Sequence, residues 1–354
     1  MPSSTSNSKH PEPNRFWLRT WCVALILALA ALGALEAFWR SLDYDPVVAD
    51  DKDYWASHRD HIYENGDKTL VLIGASRVLL GFDMELVRAR FPDWQVVQLA
   101  ISGSPPGAVL RDLANDENFK GVVLCSVVAS GMTRTAVERQ QSYVSHYHDN
   151  WKPKQDTFSN DQANRWISSW FQARLALINP DVNLRMMLVN TIRSRALPAS
   201  NYLTLLPDRS RQADYQKIDI DQHRAARERR NKSAYEAATI LQPRPWLAEA
   251  VDVFESQIKK IEERGGKIIL LRYPASGRIF ELDEEYYPRH LYWDAFSAQT
   301  TATAIHFQDI ASLSGFELPD GYHFDYRDVP DFTNALLDEL DRRQVFVGAN
   351  GMER

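Results

Sequence analysis

The chain has 354 residues, of which 44% are hydrophobic and 25% charged, and its formal net charge is -6. That length suits one large domain with an insertion or two ordinary domains, and the composition excludes collagen-like and wholly disordered classes. The acidic balance leaves no electrostatic footprint for nucleic acid, and no such partner is expected.

Residues 1–15 are polar and rich in Pro and Ser, and read as a disordered cytoplasmic tail. Next comes "TWCVALILALAALGALEAFW", residues 20–39, with Glu36 as its one charge. A run of about 20 residues with a single charge matches a hydrocarbon core ~30 Å thick, so residues 16–39 read as a transmembrane anchor. Lys9, Arg15 and Arg19 precede the run, while Asp43, Asp45, Asp50 and Asp51 follow it. The positive-inside bias then puts the N-terminus in the cytoplasm and everything beyond residue 40 outside. A cleavable signal peptide is the rival reading, but the run is long for one and lacks a small-x-small site after it. A buried helix of a soluble protein fits poorly with a run that is apolar on every face.

Residues 40–66 are charged and aromatic, and read as a tether. A strand–helix alternation begins at residue 67. "KTLVLIGAS" (68–76), "WQVVQLAIS" (94–102) and "KGVVLCSVVAS" (120–130) read as strands, with helices near 84–90 and 107–116. Strands alternating with helices imply a parallel sheet covered on both faces. Residues 133–244 break the pattern and read as a mainly helical insertion, with "ARLALINPDVNLRMMLVNTIRSRAL" (173–197) helical in spacing. The basic run Arg224, Arg227, Arg229, Arg230 and Lys232 reads as a solvated helix face. The alternation returns with a helix over 245–266 and the strand "KIILLRYP" (267–274). A loop leads into a final helix within 318–343, and residues 346–354 read as a tail.

Two cysteines, Cys22 and Cys125, fall in separate apolar runs, so neither a disulfide nor a zinc site is expected. His146-x-His148-Asp149 has chelate-like spacing but no further ligand set nearby, and no metal is expected. Trp151, Trp166 and Trp170 are candidates for stacking on sugar rings.

In open α/β sheets, ligands sit beyond the carboxyl ends of the strands. Ser76, Ser102-Gly103 and Ala129-Ser130-Gly131 all fall at such ends. A serine hydroxyl needs a base within hydrogen-bond reach and a group to orient that base. "DGYH", Asp320 to His323, offers both within one turn. The backbone N–H groups of Ser76 and Gly103 are candidate oxyanion donors. Arg77, Ser130, Arg272 and Ser276 are candidates for contact with substrate, while Asp325, Asp328 and Pro330 read as the start of the last helix.

"LIGASR", "AISGS" and "PDGYHFDYRDVPDFTNALL" resemble the first, second and fifth sequence blocks of SGNH/GDSL hydrolases. The resemblance spans roughly residues 67–132 and 245–345. It implies a flavodoxin-like three-layer α/β/α domain, with Ser76 as nucleophile, Gly103 as oxyanion donor, His323 as base and Asp320 as its partner. No cofactor is implied. Ala75 replaces the usual Asp of the first block. Ala129 stands where the third block supplies an Asn whose amide donates to the oxyanion. Loss of one such donor costs ~10²–10³ in rate. Ser130 or Ser126 could replace it, the hole could have two donors, or the protein could be a poor enzyme.

A membrane anchor, an exported domain of this type and a helical insertion together are similar in layout to proteins that move acyl groups on bacterial envelope glycans. That layout implies residence in the bacterial inner membrane with a periplasmic domain, an envelope polysaccharide or acylated glycan as substrate, and a multi-pass membrane acyltransferase as partner. A lipid or carboxyl esterase with the same triad, and a non-catalytic scaffold with a degraded site, are the alternatives.

Overall fold

The computed structural model describes residues 15–154, 160–179 and 202–346, with residues 182, 187, 189, 191 and 192 between them. Its centre is a parallel sheet of β1 (Thr69–Ile73), β2 (Gln95–Gln98), β3 (Val122–Ser126), β6 (Lys267–Arg272) and β7 (Thr303–His306). A separate antiparallel pair, β4 (Leu203–Leu205) and β5 (Arg211–Ala213), lies between β3 and β6 in the chain. The sheet runs β2-β1-β3-β6-β7. Counted by its own strands this is 2-1-3-4-5, the flavodoxin-like doubly wound order.

Side chains alternate across the strands and enter two cores. Leu70, Leu72, Leu124, Ile269 and Leu271 pack with Val87, Phe332 and Leu336 on one face. Val71, Ile73, Val123, Cys125, Ile268 and Leu270 pack with Trp55, Leu110, Trp246 and Phe254 on the other. With helices on both faces, every residue of β1 and β3 is buried, which is why these strands read as unbroken apolar runs. The architecture is therefore α/β/α.

Two features depart from the sequence reading. The fifth strand, Thr303–His306, is four residues long and sits in a stretch read as loop; its parallel pairing with β6 makes it a strand. Residues 40–66 are more than a tether, because the helix Lys52–Asp60 is part of the core. Trp55 in it is fully buried and donates its indole N–H to the Leu99 carbonyl at 3.0 Å. Buried Arg59 reaches Asp112 at 2.7 Å and Asp116 at 2.8 Å. The many charged residues around Trp55 hide this from a periodicity count.

The N-terminal helix, Arg15–Ser41, stands out from the domain with its apolar side chains exposed from Trp17 to Leu35. Its segment Trp17–Ser41, whose most apolar 18-residue stretch has a mean hydropathy of 2.2, is long and apolar enough to cross a membrane. The segment between β3 and β6 includes the helix Ile220–Ala237 and the β4–β5 hairpin, so it is not wholly helical. Most of 173–197, the tail 1–14 and residues 347–354 lie outside the described residues.

Candidate active site

β1 ends in Gly74-Ala75, and Ser76 opens the short helix Ser76–Leu80. The elbow is tight. Gly74 has φ +153°, and a Cβ there would stand 2.6 Å from Val78 Cγ2 and 2.9 Å from Ser126 Cβ. Only glycine fits both that backbone and that contact. The sharp turn sets the Ser76 hydroxyl at the carboxyl edge of the sheet.

The base comes from the loop before the final helix, Val329–Arg342. Asp320 Oδ1 accepts the backbone N–H groups of Tyr322 at 2.9 Å and His323 at 2.8 Å, so the carboxylate organises its own loop. Gly321 supplies φ +76°, and a Cβ on it would meet the Ser276 carbonyl at 3.0 Å. Asp320 Oδ2 lies 3.0 Å from His323 Nδ1, and His323 Nε2 lies 2.8 Å from Ser76 Oγ. Two side chains 247 positions apart thus meet in one hydrogen-bonded chain, Ser76–His323–Asp320.

Burial works against charge on both members of the Asp–His pair. For Asp320, burial alone would raise the carboxyl pKa. The hydrogen bond and charge of His323, together with Arg227, outweigh it and hold the carboxyl well below the ordinary range. For His323, burial lowers the imidazole pKa; Asp320 opposes that, while Arg227 and Arg77 add to it. The pair is therefore a neutral imidazole oriented by an ionised carboxylate, and with Nδ1 donating to Asp320, Nε2 is free to accept the serine proton.

Gly103, at φ +71°, sits in the exposed turn after β2. The Ile101 N–H donates to the Gly74 carbonyl at 3.1 Å, joining this turn to the Ser76 elbow. Gln140 strengthens the joint: its buried Nε2 donates to the Gly74 and Ser104 carbonyls at 3.1 and 3.0 Å. Both amide hydrogens are used there, so Gln140 does not stand in for the missing Asn. Ala129 lies in the turn Ala129–Gly131, and its carbonyl accepts the Trp246 indole N–H at 3.0 Å. Ser126 is buried in β3 beneath Gly74. Half-buried Ser130 lines a cavity of about 30 Å³ with Ala129, Arg272, Asp283 and His306.

Three candidates for substrate contact have structural roles. Arg272 is buried, donates to the Tyr273 carbonyl at 2.9 Å and ion-pairs with Asp283. Arg77 is 4% exposed; its guanidinium lies 3.6 Å from the Tyr322 ring centroid and 3.6 Å from Asp283 Oδ2. Its three guanidinium nitrogens are buried beside the triad loop and find no hydrogen-bond partner among the described residues. Ser276 Oγ accepts the Leu318 N–H at 3.0 Å and pins the same loop. Asp328 occupies the cap position of the last helix without a capping bond, whereas Asp325 accepts the Tyr215 N–H at 3.1 Å. His146 and His148 pair with Asp53 and Asp112 at 2.6 and 2.5 Å. Trp151 is half-buried and donates to Asp60 at 2.5 Å, while the Trp170 ring is exposed.

The basic run holds a residue that a solvated-face reading misses. Arg227 Nε stands 2.8 Å from Asp320 Oδ2, with Asp320 fully buried. The contact is a charge pair and not an aligned hydrogen bond. His223, one turn earlier, lies 3.8 Å from the same oxygen. Nothing in the repeated Arg spacing distinguishes Arg227 from its neighbours, because only the fold brings one of them to the carboxylate. Arg209 is a second such residue. It is buried in the β4–β5 turn, binds Asp50 at 2.8 Å and donates to the Gln98 and Ala100 carbonyls at 2.7 and 3.3 Å.

The sequence matches no family model and no curated protein. Two solved structures are similar in outline. TesA is 14% identical, with a TM-score of 0.33 over 77% of this chain and 98% of its own. The psychrotrophic esterase EstA from Pseudoalteromonas sp. is 11% identical, with a TM-score of 0.34 over 78% of this chain and 99% of its own. Similarity at this level carries no argument about chemistry, which rests on the site geometry.

Proposed function

We propose that this chain is an exported, membrane-anchored serine esterase or O-acyltransferase acting on O-acyl groups of a cell-envelope polysaccharide. The observation that carries the reading is the Ser76–His323–Asp320 chain at the carboxyl edge of a parallel sheet. His323 Nε2 takes the Ser76 proton as Oγ attacks the acyl carbonyl. The N–H groups of Ser76 and Gly103 receive the oxyanion. His323 then protonates the departing alkoxide, leaving an acyl-Ser76 ester. A sugar hydroxyl or water, deprotonated by His323, attacks that ester, and the imidazolium returns the proton to Ser76 Oγ as the serine is released. Asp320 stays ionised throughout and stabilises the imidazolium.

The anchor supports membrane attachment. The charge asymmetry across it supports a cytoplasmic N-terminus and a periplasmic domain. The glycan substrate and a multi-pass acyltransferase partner are supported by layout alone. A fluorophosphonate probe is the direct test: it should label the full-length protein in detergent or nanodiscs, and Ser76→Ala should abolish labelling. Acetylated oligosaccharide against p-nitrophenyl acetate, with and without a glycan acceptor, separates transferase from esterase.

One observation favours a second reading. Ala129 supplies no side-chain donor where a third oxyanion contact is expected. A folded protein that neither labels nor turns over ester would be a scaffold that retains the triad geometry without activity.

A further inference from the structure

The helix Asn160–Gln172 leads into the short turn Ala176–Ile178, which packs on the end of the anchor. The helix's described apolar residues Ile167, Trp170 and Phe171 follow the i, i+3, i+4 pattern of one helix face. A helix of a water-soluble domain turns such a face into the core. Here Ile167, Trp170 and Phe171 are 46%, 42% and 44% exposed.

What lies next to this face suggests its occupant. The chain just beyond the helix is fixed to the last turns of the anchor. Glu36 accepts the backbone N–H groups of Ala176 and Leu177 at 2.9 Å each. Arg40 donates to the Arg174 carbonyl at 3.0 Å, and the Ala49 N–H donates to the Gln172 side chain at 3.1 Å. Trp39, Tyr44 and Ala176 form a small core at the junction, with Leu177 packed on it. Glu36 is five residues short of Ser41, ~8 Å along the axis at 1.5 Å per residue. That is comparable with the depth of the interfacial zone on one side of a bilayer, ~5–8 Å. The one charge in the apolar run thus has a structural use, holding this junction at the membrane surface. Arg174 lies over the Trp170 ring at 4.2 Å from its centroid, which places a cation beside the aromatic face. Exposed aromatic residues with an adjacent arginine suit the boundary between acyl chains and phosphate headgroups.

We propose that the helix Asn160–Gln172 is a second membrane contact, lying in the bilayer interface beside the exit of the anchor with Ile167, Trp170 and Phe171 among the acyl chains. The proposal rests on the reading of Trp17–Ser41 as a membrane span and is independent of the esterase reading. Two attachment points hold the domain against the bilayer, where a single helix would leave it free to swing.

Site-directed spin labelling of the full chain in nanodiscs of phosphatidylcholine and phosphatidylglycerol tests this. Nitroxides are placed one at a time in a Cys22→Ser background through Leu27→Cys, Arg165→Cys, Ile167→Cys, Ser169→Cys, Trp170→Cys and Phe171→Cys. Collision rates are then measured with oxygen, which enriches in lipid, and with a water-soluble nickel chelate. The oxygen-to-nickel ratio at 167, 170 and 171 should exceed that at 165 and 169, on the opposite side of the helix, several-fold and approach that at 27. Equal ratios at all five helix sites, with a lipid-like value at 27, would overturn the second contact and leave the anchor standing. A water-like value at 27 would overturn the anchor and the proposal together. Shielding of 167, 170 and 171 from both reagents would overturn it in favour of a protein cover, a second copy or another chain.

Discussion

The sheet carries Ser76 on the end of β1 and the His323 loop before the last helix, so the groups proposed to react come from the regular part of the molecule. Ser76 and His323 of the triad lie outside the segment between β3 and β6, yet that segment reaches the same place at three points. Gln140 joins the Ser76 and Gly103 turns, Arg209 binds the carbonyls at the end of β2, and Arg227 faces Asp320. The hairpin also fastens the triad loop, since the Tyr326 N–H donates to the Ala213 carbonyl at 2.9 Å. The reacting groups thus sit on the scaffold, while much of what fixes their geometry and charge is inserted into it.

The largest expected effect tests the scaffold's share. Ser76→Ala should remove ester turnover by on the order of 10⁶ in kcat, the cost of losing a triad nucleophile. Retained turnover would place the chemistry elsewhere. Asp320→Asn should lower kcat by ~10⁴, because the imidazole loses the partner that sets its tautomer. A loss near tenfold would mean that His323 is oriented by something else.

A smaller effect tests the insertion's share. Arg227→Gln removes a cation that depresses both Asp320 and His323. Activity needs neutral His323, so the acid limb of kcat/KM in the native protein should lie below the ordinary imidazole value of ~6.5. In Arg227→Gln that limb should move toward higher pH, with kcat/KM well above the limb changed by less than tenfold. Arg227→Lys keeps the charge and should return most of the shift. An unchanged limb in Arg227→Gln would reduce Arg227 to a packing role.

The smallest effect concerns the scaffold alone. His306 at the end of β7 is 3% exposed, and burial, with Arg289 and Arg272, lowers its pKa to about 3. Its folded pKa lies below the unfolded value of ~6.5, so its contribution to stability is complete above that value and is lost as pH falls toward 3. His306→Asn keeps an acceptor for the Gln308 N–H and should flatten the fall of Tm between pH 6.5 and 4. If the slope is unchanged, His306 is already charged in the fold.

The sheet was readable because a strand buried on both faces must be apolar through its middle, as Leu70–Ile73, Val122–Cys125 and Ile268–Leu271 are. The Ser76 elbow and the Asp320–His323 turn were readable because glycine and short spacing leave local marks. The fifth strand was not, since four residues with two half-buried carry too little pattern. The helix Lys52–Asp60 was hidden because Arg59 and its acidic partners disguise a core element as a solvated one. Arg77 and Arg272 invited a substrate role because sequence shows a cation but not its counter-ion, and Asp283 lies near both.

Short-range physics, in the form of apolar periodicity, backbone freedom at Gly74 and Gly321, and the three-residue reach from Asp320 to His323, was written into the sequence. It determined an α/β fold, an apolar N-terminal helix and a candidate serine with a candidate base. Which of five basic residues in one run faces the buried carboxylate, and which polar side chains join turns from distant strands, only the tertiary structure decided. Those contacts depend on where the insertion folds back, and a pairing between remote polar groups leaves no local signature in either partner.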